Sequence, residues 1–383
     1  MLGGATGRVL APAAAGALAV VVAGAALVPS LRPAGWNVTV LPRVDSATPL
    51  GAAARRIDPG FRTVHPGAYD GQFYWGIAID PLATGDVHRV LDKPSYRYGH
   101  PLLGWLSWLL GAGQGSAAAA ALLVAGLASF GAAAFLAALL GRSRGGTGFE
   151  ALLVIANPGL VYAAVHGLGE PLSVALLLGS LAAYLDGRTR LALAGFALLP
   201  LTKEPLALVP LAVALWELWR RRTGIRAAVP LVATLLPSIA WWIYARARLG
   251  AWFTSGDTAL GAPFSGWKRA LLDAGVNSLA PAPLLNQIGE ETLVVLVALL
   301  ALLVVAGLVA LRGRSPVDLV YLALAAVAVF LAPNATSSLR DALRNTAPLM
   351  ALTAFVIASR PLLPTWTAPR AEGSSRARPP SPS

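Results

Sequence analysis

Residues 117–140 read AAAAALLVAGLASFGAAAFLAALL, a run without a single charged side chain. The hydrocarbon core of a bilayer is about 30 Å thick, and a helix needs about 20 apolar residues to cross it. Similar runs occur at Leu10–Leu31, after Arg8, and at 291–311. These runs predict an all-α integral membrane protein.

The composition extends this prediction to the whole chain. Of its 383 residues 56% are hydrophobic and 13% are charged, and the mean hydropathy is +0.65. Soluble domains average about 25% charged residues. The net charge is +12, but the charges stand singly between apolar runs, as helix-end anchors do, so we expect no nucleic-acid partner. The absence of cysteine excludes disulfides, thiolate metal sites and cysteine nucleophiles.

The apolar runs predict about ten transmembrane helices. Lys203, Glu204 and Pro205 interrupt what is otherwise one apolar stretch at 190–219. Leu102–Leu110 is too short to span, and flanking proline and glycine favour a re-entrant or interfacial segment. The predicted helices lie at about Leu10–Leu31, 117–140, 149–165, 171–185, 190–202, 205–219, 227–245, 291–311, 316–332 and 345–359.

We expect one transmembrane domain over residues 1–359. Residues 32–98 turn polar and contain many prolines and glycines, which predicts a long, folded extracytoplasmic first loop with short interfacial helices. Residues 246–290 form the predicted second outer loop, a candidate lid. The tail at 360–383 is rich in Pro, Ser and Arg, which predicts a disordered cytoplasmic segment.

Charge asymmetry predicts the orientation. With ten helices and a cytoplasmic N-terminus, the short cytoplasmic connections are consistently basic. Thirteen of the 18 acidic residues and all four histidines then lie outside. The prediction is a multi-pass protein of a bacterial inner or plasma membrane, with both termini in the cytoplasm.

The densest polar and aromatic patch is YDGQFYWGIAIDP, residues 69–81. Its aromatic residues are typical of a short helix at the membrane surface. Asp70 is a candidate general base, since partial desolvation raises the basicity of a carboxylate. The alternative is that Asp70 only caps this helix. Tyr69, Gln72 and Tyr74 are candidate substrate contacts.

Two further outer segments carry candidate polar side chains. Arg97 and His100 precede the short apolar segment and are candidates for gripping a phosphate, or else are interfacial residues that reach toward water. Glu170 begins a helix, where the macrodipole favours an acid, so capping is the alternative to a catalytic role. His166 is a candidate for the same pocket.

Lys203 and Glu204 stand within an apolar stretch, where ionisable groups are costly and usually mark function. We favour Lys203 facing an anionic ligand. A mutual pair with Glu204 is the alternative, although adjacent helical side chains diverge and Pro205 would have to break the geometry. Arg340 and Arg344 are one helical turn apart and form a candidate phosphate-binding face, or else belong to a solvated loop.

These segments resemble the GT-C superfamily of integral membrane glycosyltransferases. YDGQFYWGIAIDP, YRYGHPLLGWLSWLL and NPGLVYAAVHGLGEPLSVALLLGSLAAYLDGR resemble the blocks of the family that contains the GPI-anchor mannosyltransferase II. LALAGFALLPLTKEPLALVPL resembles the Thr-Lys-Gly-Pro segment of the lipid-A aminoarabinose transferases. The resemblance covers residues 60–220.

The resemblance implies an inverting transfer of a sugar, mannose or another hexose or pentose, from a polyprenyl-phosphate donor to an extracytoplasmic lipid or glycan acceptor. Asp70 takes the position of the catalytic base, Glu170 that of the second acid and Lys203 that of the segment's lysine. Glu204 replaces the glycine of that segment, and the first loop lacks paired acidic residues. The resemblance therefore does not decide whether the enzyme needs a divalent cation. A transporter or lipid flippase, or a non-catalytic envelope-assembly scaffold, is the alternative.

Overall fold

The computed structural model describes residues 3–144, 146–220, 224–256, 259–277 and 290–358. Within these ranges all regular structure is helical, apart from two isolated bridges, which confirms the all-α prediction. The predicted tail at 360–383 and part of the predicted loop at 246–290 lie outside the described residues.

The described part of the chain contains α-helices and short 3-10 helices. The α-helices are α1 Gly3–Leu31, α2 Pro49–Ile57, α3 Gly71–Ile79, α4 Pro94–Arg97, α5 Leu102–Leu110, α6 Ala118–Ser143, α7 Leu152–Ile155, α8 Pro158–Val165, α9 Glu170–Leu185, α10 Thr189–Leu198, α11 Leu208–Arg220, α12 Gly224–Ala233, α13 Leu236–Leu249, α14 Ser265–Asn277, α15 Glu290–Leu311, α16 Pro316–Val329, α17 Leu339–Asn345 and α18 Ala347–Ala358. The 3-10 helices are Val38–Val40, Val87–Val90, Gly115–Ala117, Phe149–Ala151, Leu199–Leu201, Glu204–Ala207 and Pro333–Thr336.

Four described segments are long and apolar enough to cross a membrane, namely Pro12–Leu31, Gly115–Ser143, Gly224–Leu249 and Val294–Leu311. A fifth is obtained if α8 and α9, which meet at an angle of 113°, count as one bent span. The chain is therefore a helical membrane protein, but the prediction of about ten spans is too high by this criterion.

Breaks in the apolar stretches account for this difference. The run at 149–165 divides at Pro158, where the Asn157 side chain accepts from the backbone N–H of Leu160 (3.1 Å) and caps α8. The run at 316–332 becomes α16, whose 14 residues extend only about 21 Å at about 1.5 Å per residue. Hydropathy counts apolar residues and does not register such breaks.

Small residues let the membrane helices pack closely. Helix α6 lies between α1 and α9, and its Ala125, Ala133 and Ala137 are fully buried. A Cβ added at Gly126 would lie only 2.3 Å from the backbone oxygen of Ala164, so only glycine permits this contact between α6 and α8. Such close backbone approach is how transmembrane helices gain packing energy in lipid.

The segment at 32–98 is folded, as predicted, and contains α2, α3 and α4. Trp75 and Tyr98 are fully buried in its core. The indole N–H groups of Trp241 and Trp242 in α13 donate to the backbone oxygens of Tyr98 (2.6 Å) and Gly99 (2.9 Å). These bonds fix the loop against the apolar helices, and the next helix, α5, has the predicted bounds.

Candidate functional site

A cavity of about 380 Å³ opens where the first loop meets the start of α9, the Lys203–Glu204 break and α17. Its apolar lining includes Leu324 and Val327 of α16, Leu331 just after that helix, and Leu349 of α18. Its polar and aromatic lining includes Tyr69, Asp70, Tyr74, Lys93, Tyr96, Arg97, His100, Glu170, Lys203, Glu204, Asp341, Arg344 and Asn345.

Asp70 is held by two arginines. It occupies the residue before α3, but its side chain makes no capping hydrogen bond, so the interpretation as a cap is wrong. Arg97 Nη1 lies 3.4 Å from Oδ1, and Arg344 donates to Oδ2 from Nη1 (3.1 Å) and Nη2 (3.2 Å). Both carboxylate oxygens therefore have cationic partners, and both arginines are turned into the cavity.

Lys203 pairs with Glu170 and not with Glu204. Its Nζ lies 2.8 Å from Glu170 Oε1 and donates to Asn345 Oδ1 at 3.0 Å. The backbone at Lys203 is extended, with φ −159° and ψ 127°, which separates its side chain from that of Glu204. The mutual-pair alternative is therefore wrong. Glu170, only 2% exposed, also has Arg344 Nε 3.5 Å away.

Glu204 instead bonds His100. Its Oε1 lies 2.9 Å from Nδ1 of the imidazole, across 104 positions of sequence. The rings of Tyr74 and Tyr96 lie beside the imidazole, with centroid distances of 5.8 and 5.3 Å. Pro205 begins the short 3-10 helix with Glu204, so the proline that interrupts the apolar run also places this carboxylate at the cavity wall.

The Tyr69 hydroxyl donates to Asp341, which the sequence analysis did not identify as a site residue. Burial by itself would raise the pKa of Asp341, but hydrogen bonds from Tyr69 and Ser338 and the charges of Arg344 and Arg340 bring it below the ordinary value. Asp341 is thus held as a carboxylate. Burial raises the pKa of Tyr69, which keeps this hydroxyl protonated.

Three predicted site residues do not line the cavity. The Gln72 side chain accepts from the backbone N–H of Asp45 (3.3 Å), and His166 Nδ1 donates to the Leu41 carbonyl (2.8 Å). The Arg340 guanidinium lies over the rings of both Tyr69 and Tyr162, 4.4 Å from each centroid. Gln72 and His166 thus bond backbone groups, whereas Arg340 contacts two residues of the cavity lining, Tyr69 and Asp341, with its Nε 3.6 Å from Asp341 Oδ1.

Lys93, Asp341 and Asn345 are cavity residues that the sequence did not predict, and Glu204 was weighed only as a charged partner of Lys203. For Asp341 a signal was present, because it stands between two arginines in the RDALR stretch. Lys93 carried no comparable signal. It is exposed, has no ion-pair partner among the described residues, and has φ 49° in the left-handed region.

The charges that line the cavity balance. The carboxylates of Asp70, Glu170, Glu204 and Asp341 face the cations of Lys93, Arg97, Lys203 and Arg344. Three of these four cations, Arg97, Lys203 and Arg344, already have acidic partners. An anionic ligand has to compete with those carboxylates for the cations.

The described residues contain no cluster of three or more histidine, aspartate or glutamate side chains placed to hold a metal ion. The carboxylates of the cavity are bonded to Arg, Lys, His or Tyr side chains instead. The described residues therefore do not fit a resident divalent cation.

The cavity brings together residues that lie up to 274 positions apart in the sequence. Comparisons of the chain with protein-family models, with curated proteins and with solved structures found no match.

Proposed function

We propose that the protein is an integral membrane glycosyltransferase that moves a sugar, mannose or another hexose or pentose, from a polyprenyl-phosphate donor to an extracytoplasmic lipid or glycan acceptor. The observation that supports this most directly is the mixed lining of the cavity. Leu324, Val327 and Leu331 line it together with Arg97, Lys203 and Arg344. An amphiphile with a phosphate headgroup and a prenyl chain matches both kinds of lining.

In this proposal the three cations bind the donor phosphate. Arginine presents a planar fork that matches phosphate oxygens, and lysine adds a point charge. The phosphate displaces the carboxylate partners of Arg97, Lys203 and Arg344, which then stabilise the charge that develops on the departing polyprenyl phosphate. Catalysis benefits because this charge grows toward the transition state.

The acceptor hydroxyl has to lose a proton as it attacks the anomeric carbon. Attack opposite the departing phosphate inverts that carbon. Asp70 as the general base stays a prediction from the sequence, and its place in the cavity is compatible with that role. Both of its oxygens, however, have arginine partners before any substrate binds.

We propose that the cavity lies on the extracytoplasmic side of the membrane. The support is the first loop, which follows Arg8 and the span Pro12–Leu31 and contributes Asp70 and Arg97 to the cavity. The donor's sugar–phosphate bond would then lie at the headgroup plane.

The test is incubation of the purified full-length protein in lipid nanodiscs with polyprenyl-phosphate mannose or a polyprenyl-phosphate pentose. We expect release of polyprenyl phosphate, at a rate that depends on added glycan or lipid acceptor. If Asp70 is the general base, Asp70→Asn should lower kcat/KM by about a hundredfold, the usual scale for removing such a group. Absence of release with every donor would overturn the proposal.

One observation favours transport as a second candidate. Helices α8 and α9 meet at 113°, and Glu170 lies at the break. Transporters place charged groups at such interrupted helices. A flippase would move a fluorescent polyprenyl phosphate between leaflets of a proteoliposome without cleaving any donor, whereas a scaffold would do neither.

A further inference from the structure

His100 and Glu204 form a hydrogen-bonded pair at the cavity that has no role in the glycosyl transfer proposed above. Carboxylate oxygens accept and do not donate, so the bond at 2.9 Å requires that Nδ1 of His100 carry the hydrogen. In the neutral imidazole the other nitrogen, Nε2, then has a free lone pair. The carboxylate thus selects the tautomer in which Nε2 is a base.

The His100 imidazole lines the cavity, and 11% of its side-chain surface is exposed. Glu204 occupies Nδ1, and among the described residues no side chain is bonded to Nε2. Nε2 is therefore the ring nitrogen that remains for a ligand in the cavity. Asp70 differs, because each of its oxygens already faces an arginine.

The charges around the imidazole support the formation of a cation during proton transfer. Glu204 is the only described side chain within ion-pair distance of His100. Burial raises the pKa of Tyr74 well above its usual value, so this neighbour stays neutral. The ring of Tyr96 also contacts the imidazole, with a centroid distance of 5.3 Å, and Lys203 is next to Glu204 in sequence but binds Glu170. The nearest charge is thus the one that stabilises an imidazolium.

Resting on the proposed glycosyl transfer, we propose that His100 accepts the proton of the acceptor hydroxyl, with Glu204 as its positioning residue, and that Asp70 instead positions Arg97 and Arg344. The hydroxyl proton goes to Nε2. The oxygen lone pair forms the bond to the anomeric carbon as the bond from that carbon to the phosphate oxygen breaks. The bonding pair leaves with the polyprenyl phosphate, and the imidazolium returns its proton to water.

A second histidine supplies a matched control. His88 Nδ1 lies 2.8 Å from Asp80 Oδ2, and its side chain is 11% exposed, the same fraction as that of His100. His88 does not line the cavity. The two imidazoles therefore share a carboxylate partner on Nδ1 and the same side-chain exposure, and they differ in access to the cavity.

The experiment compares wild type, His100→Gln, His100→Ala and His88→Gln in the donor-cleavage assay with polyprenyl-phosphate mannose or a polyprenyl-phosphate pentose. His100→Gln should lower kcat by about a hundredfold or more with little change in the donor KM, the scale of a lost general base. His88→Gln should retain wild-type kcat. Added imidazole should restore part of the rate to His100→Ala, which a purely structural defect would not allow.

Glu204→Gln should lower kcat and change the pH–rate profile, and Glu204→Asp should recover part of both. If the wild-type protein cleaves donor and His100→Gln has the same kcat, this inference is overturned and the glycosyltransferase proposal stands. A loss of rate in His100→Ala that imidazole does not restore has the same consequence. A wild-type protein that cleaves no donor would overturn both.

Discussion

Arg344 grips Asp70 with two nitrogens, Nη1 at 3.1 Å and Nη2 at 3.2 Å from Oδ2, although the residues stand 274 positions apart. Its Nε lies 3.5 Å from Glu170. Burial by itself would lower the pKa of Arg344, but Glu170 and Asp70 raise it, so the guanidinium stays charged. One side chain on α17 therefore joins the first loop to the start of α9.

Arg344→Lys should lower kcat/KM for donor cleavage by about ten- to a hundredfold. A lysine keeps the charge but cannot contact both carboxylates as a planar fork does, and a charged hydrogen bond contributes about 1.5–3 kcal/mol. Steady-state release of polyprenyl phosphate measures this. The control is Arg269→Lys on α14, whose side chain is 66% exposed and pairs with Asp273. Equal activity in both variants would remove Arg344 from the site.

Asp70→Asn separates the two roles that are open to this carboxylate. If Asp70 positions Arg97 and Arg344, the donor KM should rise by about tenfold or more and carry most of the loss in kcat/KM, since the arginines lose the charge that orients them. We expect this result. A fall in kcat of about a hundredfold at constant KM would instead identify Asp70 as the base and contradict the role given to His100.

The sequence predicted most of the charged and titratable residues that line the cavity, namely Asp70, Arg97, His100, Glu170, Lys203 and Arg344. Lys203 stands in an apolar stretch, where a charge is costly, whereas Arg344 was predicted from its one-turn spacing to Arg340. The bounds of α5 and α9 were also close to the prediction, because proline or glycine marks their ends.

The pairing of these residues could not be predicted. Lys203 and Glu204 are neighbours in sequence, but the extended backbone at Lys203 sends them to Glu170 and His100 respectively. Such long-range partners depend on how the helices pack. The predicted number of membrane spans was wrong for a related reason, since a hydropathy pattern does not reveal the 113° bend between α8 and α9.

Asp80→Asn should loosen the first loop. The Asp80 carboxylate accepts from the backbone N–H groups of Thr84 (2.8 Å), Gly85 (2.9 Å) and His88 (3.2 Å). Burial would raise the pKa of Asp80, but these bonds and the His88 side chain lower it. A lowered pKa gives stability that is complete above the unfolded value of about 3.8 and is lost as pH falls through the folded value.

The measurement for this prediction is amide hydrogen exchange at those three N–H groups. Exchange should speed up in Asp80→Asn by the equivalent of about 1–3 kcal/mol. The matched control is Asp86→Asn, whose side chain is 91% exposed beside Arg89. Unchanged protection in Asp80→Asn would show that the amide side chain replaces the carboxylate fully.

Tags test the proposed orientation. A reporter near Asp58 should be extracytoplasmic, whereas reporters within 220–222 and after Arg378 should be cytoplasmic, since basic connections remain inside. Cysteine labelling in intact cells provides the measurement, because the chain has no native cysteine. A cytoplasmic signal near Asp58 would put the first loop, with Asp70 and Arg97, on the wrong side for the proposed acceptor.

Lys203 and Glu170 are best tested as a pair. Glu170 is almost fully buried, so Lys203→Met should destabilise the protein by about 1–3 kcal/mol, less than the usual cost because Arg344 remains nearby. The double change of Lys203→Met with Glu170→Gln removes both charges and should recover most of that stability, measured as thermal unfolding in detergent.

Because the double variant should recover most of its stability, a change in its donor affinity can be assigned to the loss of Lys203. If Lys203 holds the phosphate, the double variant should bind polyprenyl-phosphate mannose or pentose about thirty- to several-hundredfold more weakly, the equivalent of about 2–4 kcal/mol for a desolvated charge contact. Lys268→Met on α14 is the control, because Lys268 is exposed and lies outside the cavity lining. If the double variant folds and binds donor with normal affinity, Lys203 only neutralises Glu170. Arg97 and Arg344 would then be the residues that bind the phosphate.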